Sequence, residues 1–210
     1  QNEMIREALD HGFLVSYNHP AWSLQHYPDY AGLEGVTAVE VYNTGSILEG
    51  YLLDGDEQVL DDFLYLGKRA YPVAGDDSHS IADCCGGWVQ FRAPALTYGD
   101  IMHAFAVGDF YASWGPEITA LYIEDGILHV DCTDTVAVCL RTDIRLSGNT
   151  TAPAGEMLSH CTFDLRGWLE QSRTLGCEER AFFRLTLVGP TGAKALTRGY
   201  FADELSGMTF

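Results

Sequence analysis

A run of small and apolar residues, Val73-Ala74-Gly75, gives way within one step to Asp76-Asp77-Ser78-His79. Such a change marks a buried strand that stops at a polar site, and it constrains the chain more than any other stretch. On an extended strand side chains alternate, so Asp77 and His79 share a face and Asp76 takes the other. A carboxylate oxygen and an imidazole nitrogen two residues apart at a strand end can grip one divalent metal. The plain alternative is an Asp and a His in a polar loop after a core strand.

The elements around this stretch read as follows. Met4, Ile5, Ala8 and Leu9 recur at helical spacing over residues 3–11, with Gly12 as C-terminal cap. Phe13-Leu14-Val15-Ser16-Tyr17 reads as a strand ending in Asn18-His19-Pro20, because proline cannot continue a ladder. His19 thus stands at a strand's carboxyl end, where α/β barrels gather their functional residues. Alone it reads as a satisfied loop histidine; beside a later Asp-x-His it becomes a candidate ligand. Residues 21–35 read as a loop with Trp22, Tyr27 and Tyr30, and His26 within it as a surface or substrate-side residue.

Val36 to Tyr42 reads as a strand ending at Asn43, with Glu40 inside it among Val39, Val41 and Tyr42. A buried carboxylate needs a partner: an arginine, a metal or a polar barrel interior. Alternation cannot decide which, since a parallel strand can be buried on both faces. Residues 44–53 read as a glycine-bearing loop and 54–69 as a helix with Val59, Leu60, Phe63 and Leu64 on one face. After the strand Tyr71–Gly75 comes the turn Asp83-Cys84-Cys85-Gly86-Gly87. Its vicinal cysteines raise a ligand hypothesis, against the commoner role of cysteine as a small buried residue. Trp88–Arg92 is the next strand, Thr97 caps a helix over 98–107 that ends at Gly108, and Phe110–Ser113 is strand-like before Gly115-Pro116 breaks it. Helices alternating with buried strands predict a parallel α/β sheet or barrel.

Beyond Pro116 the texture changes. Thr119–Glu124 and Ile127–Cys132 flank Asp125-Gly126, a strong hairpin signal. Short strands follow at 136–141, 161–165, 181–188 and 193–201, with no long helix among them, which predicts an antiparallel sandwich. The expected division is an α/β domain over 1–116 and an all-β sandwich over 117–210.

Charge narrows the partners. With 12 Lys plus Arg against 30 Asp plus Glu, the net charge is −18. Such a chain repels nucleic-acid phosphates and anionic membranes, so bulk contact with either is not expected. A phosphorylated substrate needs a metal or a local arginine to offset that field; Arg69 and Arg92 are the nearest, though each reads as an ordinary surface or strand-end residue. No apolar run reaches the roughly 20 residues of a membrane span, and Gln1-Asn2-Glu3-Met4 has no signal-peptide features. The six cysteines contain no Cys-x-x-Cys pair, and a 210-residue chain can bury a core without disulfides. A reducing, cytoplasmic setting is the expectation.

Taken in order, Asn18-His19-Pro20-x-Trp22, Val39-Glu40-Val41-Tyr42-Asn43 and Gly75-Asp76-Asp77-Ser78-His79 resemble motifs of the PHP (polymerase and histidinol phosphatase) metal-dependent phosphoesterases. Gly86-Gly87-Trp88-Val89, the Ala-Pro-x-Leu-Thr at 93–97 and Gly108–Glu117 extend the likeness. It covers residues 13–117 and looks closest to the subgroup with a β-sandwich after the catalytic domain. The resemblance implies a partial β/α barrel and divalent metals (zinc, manganese or iron) at its carboxyl-terminal mouth. Those metals would activate a water against a small phosphorylated substrate. It implies His19, Asp77 and His79 as ligands and places Glu40 and Asn43 beside the site; we add Asn18 to these two as candidate substrate contacts. One departure stands out: the family opens with a His-x-His strand, and this sequence has no His-x-His. Its first strand matches about the fifth of the family's seven. Three ligands can hold one zinc with an open position, but not a two-metal clamp.

The expectation is therefore a phosphoester hydrolase, possessing its full activity only with the remaining strands. The alternative is a non-catalytic metal- or carbohydrate-binding protein displaying Tyr122, Trp168 or Tyr200, each of which also reads as core. Open barrel edges further predict self-association.

Overall fold

The computed structural model describes residues 1–50 and 56–205. The chain divides into two compact units, Gln1–Trp114 and Gly115–Phe210.

In the first unit, α1 (Asn2–Asp10) leads to β1 (Ser16–Tyr17). Then come α2 (Tyr27–Tyr30), β2 (Ala38–Asn43), α3 (Thr44–Leu48), α4 (Asp56–Tyr65) and β3 (Tyr71–Gly75). Strands β1, β2 and β3 form a three-stranded parallel sheet with β2 in the middle. As the central strand, β2 buries Ala38, Val39 and Val41 on both faces. Helix α4 packs against β2 through the apolar stripe the periodicity predicts: Val59, Leu60, Phe63 and Leu64 are all buried. The start of the helix expected over 54–69 lies outside the described residues at 54 and 55. Tyr30, expected in a loop, belongs to the core instead: it stacks on Phe63 with centroids 5.9 Å apart and donates its hydroxyl to Asp62 Oδ2 at 2.5 Å.

Beyond β3, a 3₁₀ turn (Ile81–Asp83) precedes β4 (Trp88–Phe91), α5 (Tyr98–Val107) and β5 (Phe110–Ser113). Thr97 and Gly108 cap α5 as the sequence predicts. The Thr97 Oγ1 accepts the Asp100 amide at 3.2 Å and donates to its carboxylate at 2.6 Å, while Gly108 adopts the left-handed conformation (φ 75). Thr97→Ala is expected to cost about 1 kcal/mol, read as a lower urea midpoint at unchanged slope.

The barrel expectation is overturned. The described residues hold 34% strand against 27% helix, in open sheets, and no α/β barrel is present. Strands β1–β3 run parallel, whereas β4 and β5 pair antiparallel, Trp88 opposite Ser113 and Phe91 opposite Phe110. A strand–helix–strand pattern such as β4-α5-β5 reports the order of elements but not strand direction, and here the second strand returns antiparallel. The link from β3 to β4, residues 76–87, carries a single 3₁₀ turn rather than the crossover helix a barrel requires.

In the second unit, β6 (Ile118–Glu124) and β7 (Ile127–Thr135) form the hairpin expected from Asp125-Gly126, both turn residues having positive φ (49 and 76). After β8 (Ala137–Thr142) and β9 (Gly148–Thr151), β10 (Leu158–Asp164) returns to pair with the free edge of β7. Helix α6 (Arg166–Leu175) then leads to β11 (Phe182–Val188), β12 (Lys194–Thr197) and β13 (Tyr200–Phe201). These three and β8–β9 form a second antiparallel sheet in which β8 and β11 are neighbours.

Helix α6 corrects the expectation of an all-β second half. Its segment is mostly polar, so composition hides it, yet Trp168, Leu169 and Ser172 form a buried helical stripe. Trp168 lies edge-on to Phe183 and donates its indole N–H to Asp143 Oδ1 at 2.9 Å. Among the described residues no helix is long and apolar enough to cross a membrane.

Candidate functional site

Because β1, β2 and β3 are parallel, their carboxyl ends lie on one side, the side on which open α/β sheets bind ligands. The β2–β3 register sets Asn43 beside Gly75, so the residues that follow each strand emerge together.

Glu40 is the centre of the arrangement. It is buried at 7% exposure, and its Oε2 accepts the His19 amide at 2.6 Å and the Asn43 Nδ2 at 3.1 Å. Burial raises its pKa, against the lowering effect of these two hydrogen bonds. Asn43 Nδ2 also donates to Asp77 Oδ2 at 3.2 Å, and Asn43 Oδ1 accepts the Ser46 amide at 2.8 Å as the N-cap of α3. A continuous network therefore runs His19–Glu40–Asn43–Asp77. Both ends are held in the left-handed region, His19 at φ 34 and Asp77 at φ 49. Residues with a β-carbon occupy that region only when their surroundings impose it, and functional sites are where such strain gathers.

The other candidates are placed differently. His19 Nδ1 pairs with Ser23 Oγ at 2.9 Å, and its ring meets Trp22 edge-on at 5.2 Å. Exposed Asn18 accepts the Ser16 hydroxyl at 2.6 Å. His79 is exposed; its Nδ1 faces the Asp77 carbonyl at 2.7 Å, so that nitrogen carries the proton and Nε2 is the acceptor in the neutral ring. The amides of His79 and Ser80 both donate to Asp83 Oδ2, at 2.8 and 2.7 Å, and hold the Asp83 carboxyl below its ordinary pKa. The strand ends at Gly75, so the alternation that would align Asp77 with His79 does not reach them. Exposed His26 forms the N-cap of α2.

Asp76 has a separate task. Its carboxylate accepts the Thr44 hydroxyl (2.7 Å) and the amides of Cys85 (2.5 Å), Gly86 (2.8 Å) and Gly87 (2.9 Å). Burial pushes its pKa up, but these four donors outweigh it and bring the group down to about 2. Gly86 and Gly87 permit the close approach: a β-carbon on Gly86 would collide with the Thr44 side chain, and one on Gly87 would lie 2.7 Å from the Tyr42 ring. The sequence reading missed Thr44 and Ser46; Asn43 followed by Thr-Gly-Ser is an N-cap signal that could have revealed α3.

His19, Asp77 and His79 are of the right chemical type for zinc, manganese or iron, and an imidazole whose Nδ1 is tied to a carbonyl is a usual form of metal ligand. Their placement does not fit. Among the described residues no group of three or more His, Cys, Asp or Glu side chains is arranged to hold a metal ion. No protein-family model, curated protein or solved structure matches the chain.

Proposed function

We propose that the chain serves in phosphoester hydrolysis and that the substrate meets it at the carboxyl ends of β1–β3. The observation that carries this reading is the network from His19 through buried Glu40 and Asn43 to Asp77, with left-handed backbone at both ends. The order of motifs resembling those of metal-dependent phosphoesterases gives the reaction class. In this reading Glu40 and Asn43 are positioning residues: Glu40 Oε2 holds the His19 amide and Asn43, and the Asn43 side chain in turn holds Asp77 and Ser46. Asp77 and His19 are the groups presented to the substrate. A divalent cation would offset the net charge of −18 for an anionic substrate, but the described donors do not fit a resident metal centre, so no step is assigned to one.

The test is hydrolysis of p-nitrophenyl phosphate by the full chain, with Mn²⁺ or Zn²⁺ and with a chelator. The expected result is turnover with a cation that the chelator removes. No turnover with any divalent cation would overturn the reading. Of the aromatic residues named for carbohydrate binding, Trp168 is buried and Tyr200 stacks on Phe183 at 5.1 Å, whereas Tyr122 is exposed and stacks on His129 at 4.7 Å; one exposed ring is not the cluster that reading requires.

A further inference from the structure

Cys84 and Cys85 are adjacent, both are free thiols and both are exposed. We propose that they form a redox-active vicinal dithiol, a modification site that closes to a disulfide when a peroxide reaches it. The inference stands whether or not the strand end hydrolyses phosphoesters.

The loop holds these thiols outward by fixing the backbone on either side. Upstream, Asp83 receives the amides of His79 and Ser80 and closes the 3₁₀ turn. Downstream, Asp76 receives the amides of Cys85, Gly86 and Gly87. Gly86 and Gly87 press their backbone against Thr44 and Tyr42 with no room for a side chain. Between the two anchors Cys85 is held at φ 69, a conformation that costs any residue with a β-carbon. The thiol of Cys84 has only weak contacts to give up, 3.5 Å to Ser78 Oγ and 3.6 Å to the Ser80 carbonyl. Cys132 and Cys161 differ: both are buried, and burial raises both thiols, Cys161 to about 11, which makes them poor nucleophiles.

The chemistry balances with a peroxide as oxidant. One thiolate attacks a peroxide oxygen, the O–O bond breaks, and a sulfenic acid and one water result. The neighbouring sulfur attacks the sulfenic sulfur, the S–O bond breaks, and a second water leaves. Two thiols and hydrogen peroxide thus give one disulfide and two waters, the peroxide taking up two electrons. Adjacent Cα atoms across a trans peptide lie about 3.8 Å apart, closer than the roughly 4.4–6.8 Å of ordinary disulfides. The ring is therefore strained and easily reduced, as suits a reversible mark rather than a structural bond. Closing it turns the Cys84–Cys85 peptide, whose N–H is one of the four donors to Asp76, so oxidation loosens the anchor beside Asp77.

The test uses the full chain. Trypsin releases residues 70–92, bounded by Arg69 and Arg92, as one peptide whose only cysteines are Cys84 and Cys85. After brief exposure to equimolar hydrogen peroxide, open thiols are blocked with iodoacetamide and the digest is weighed. The expected peptide is lighter by two hydrogens and carries no label; dithiothreitol before blocking restores two labels, and Cys84→Ser abolishes closure. Two labels after oxidation, sulfinic or sulfonic acids at both positions, or a disulfide to another chain would each overturn the proposal.

Discussion

Asp76→Ala is expected to lower the unfolding free energy by about 2–4 kcal/mol at neutral pH, read from urea denaturation. The carboxylate is the common acceptor for the Thr44 hydroxyl and for three successive amides at 85–87. Alanine leaves those donors without their acceptor in a loop whose glycines already lie against Tyr42 and Thr44. The pH dependence gives a second reading of the same group. Its folded pKa of about 2 lies below the ordinary 3.8. The stabilisation is therefore complete above about pH 4 and drains away as the pH falls towards 2. The difference corresponds to about 2 kcal/mol, trimmed by solvent screening because the side chain is partly exposed. Asp76→Asn keeps an acceptor oxygen, so it should lose less stability and remove most of that acid dependence. A wild-type pH profile shared unchanged by Asp76→Ala would show that the loop is held by something else.

Glu40 is expected to split by substitution. Glu40→Ala deprives the His19 amide and the Asn43 side chain of their acceptor and leaves a void under the strand ends. A loss of about 2–4 kcal/mol is expected. Glu40→Gln retains an acceptor oxygen and removes a buried charge, so its stability should stay within about 1 kcal/mol of wild type. The sign follows from the raised pKa: protonated Glu40 suits the folded state, and that advantage is lost as the pH climbs through the raised folded value. Glu40→Gln should therefore gain on wild type as pH rises, in paired denaturation curves at acid and neutral pH. Equal losses for alanine and glutamine at both pH values would rule out the acceptor role.

The residues of the strand-end network stand out in the sequence because they interrupt strong apolar runs: Glu40 within Val39–Tyr42, and Asp76-Asp77 straight after Val73–Gly75; their reading as part of a metal-ligand set does not match their placement. What the sequence could not show was how the polar atoms divide the work. Asp76 and Asp77 are indistinguishable by type, yet one anchors a loop and the other closes a network with Asn43. Strand alternation failed past Gly75 because the chain turns left-handed at Asp77. The barrel failed for a different reason, since strand direction around α5 depends on tertiary pairing that no local pattern encodes. Helix α6 was missed because its buried stripe is narrow, two apolar residues (Trp168 and Leu169) and Ser172 in a segment that is otherwise mostly polar.

The measurement that bears most directly on the strand-end site compares phosphomonoester hydrolysis by wild type, Asp77→Asn and His19→Ala, with thermal melts alongside. The account predicts that each substitution lowers the cation-supported rate by at least about tenfold while the melt changes little. Rates equal to wild type in both variants, with hydrolysis intact, would place the reaction elsewhere in the chain and contradict the assignment.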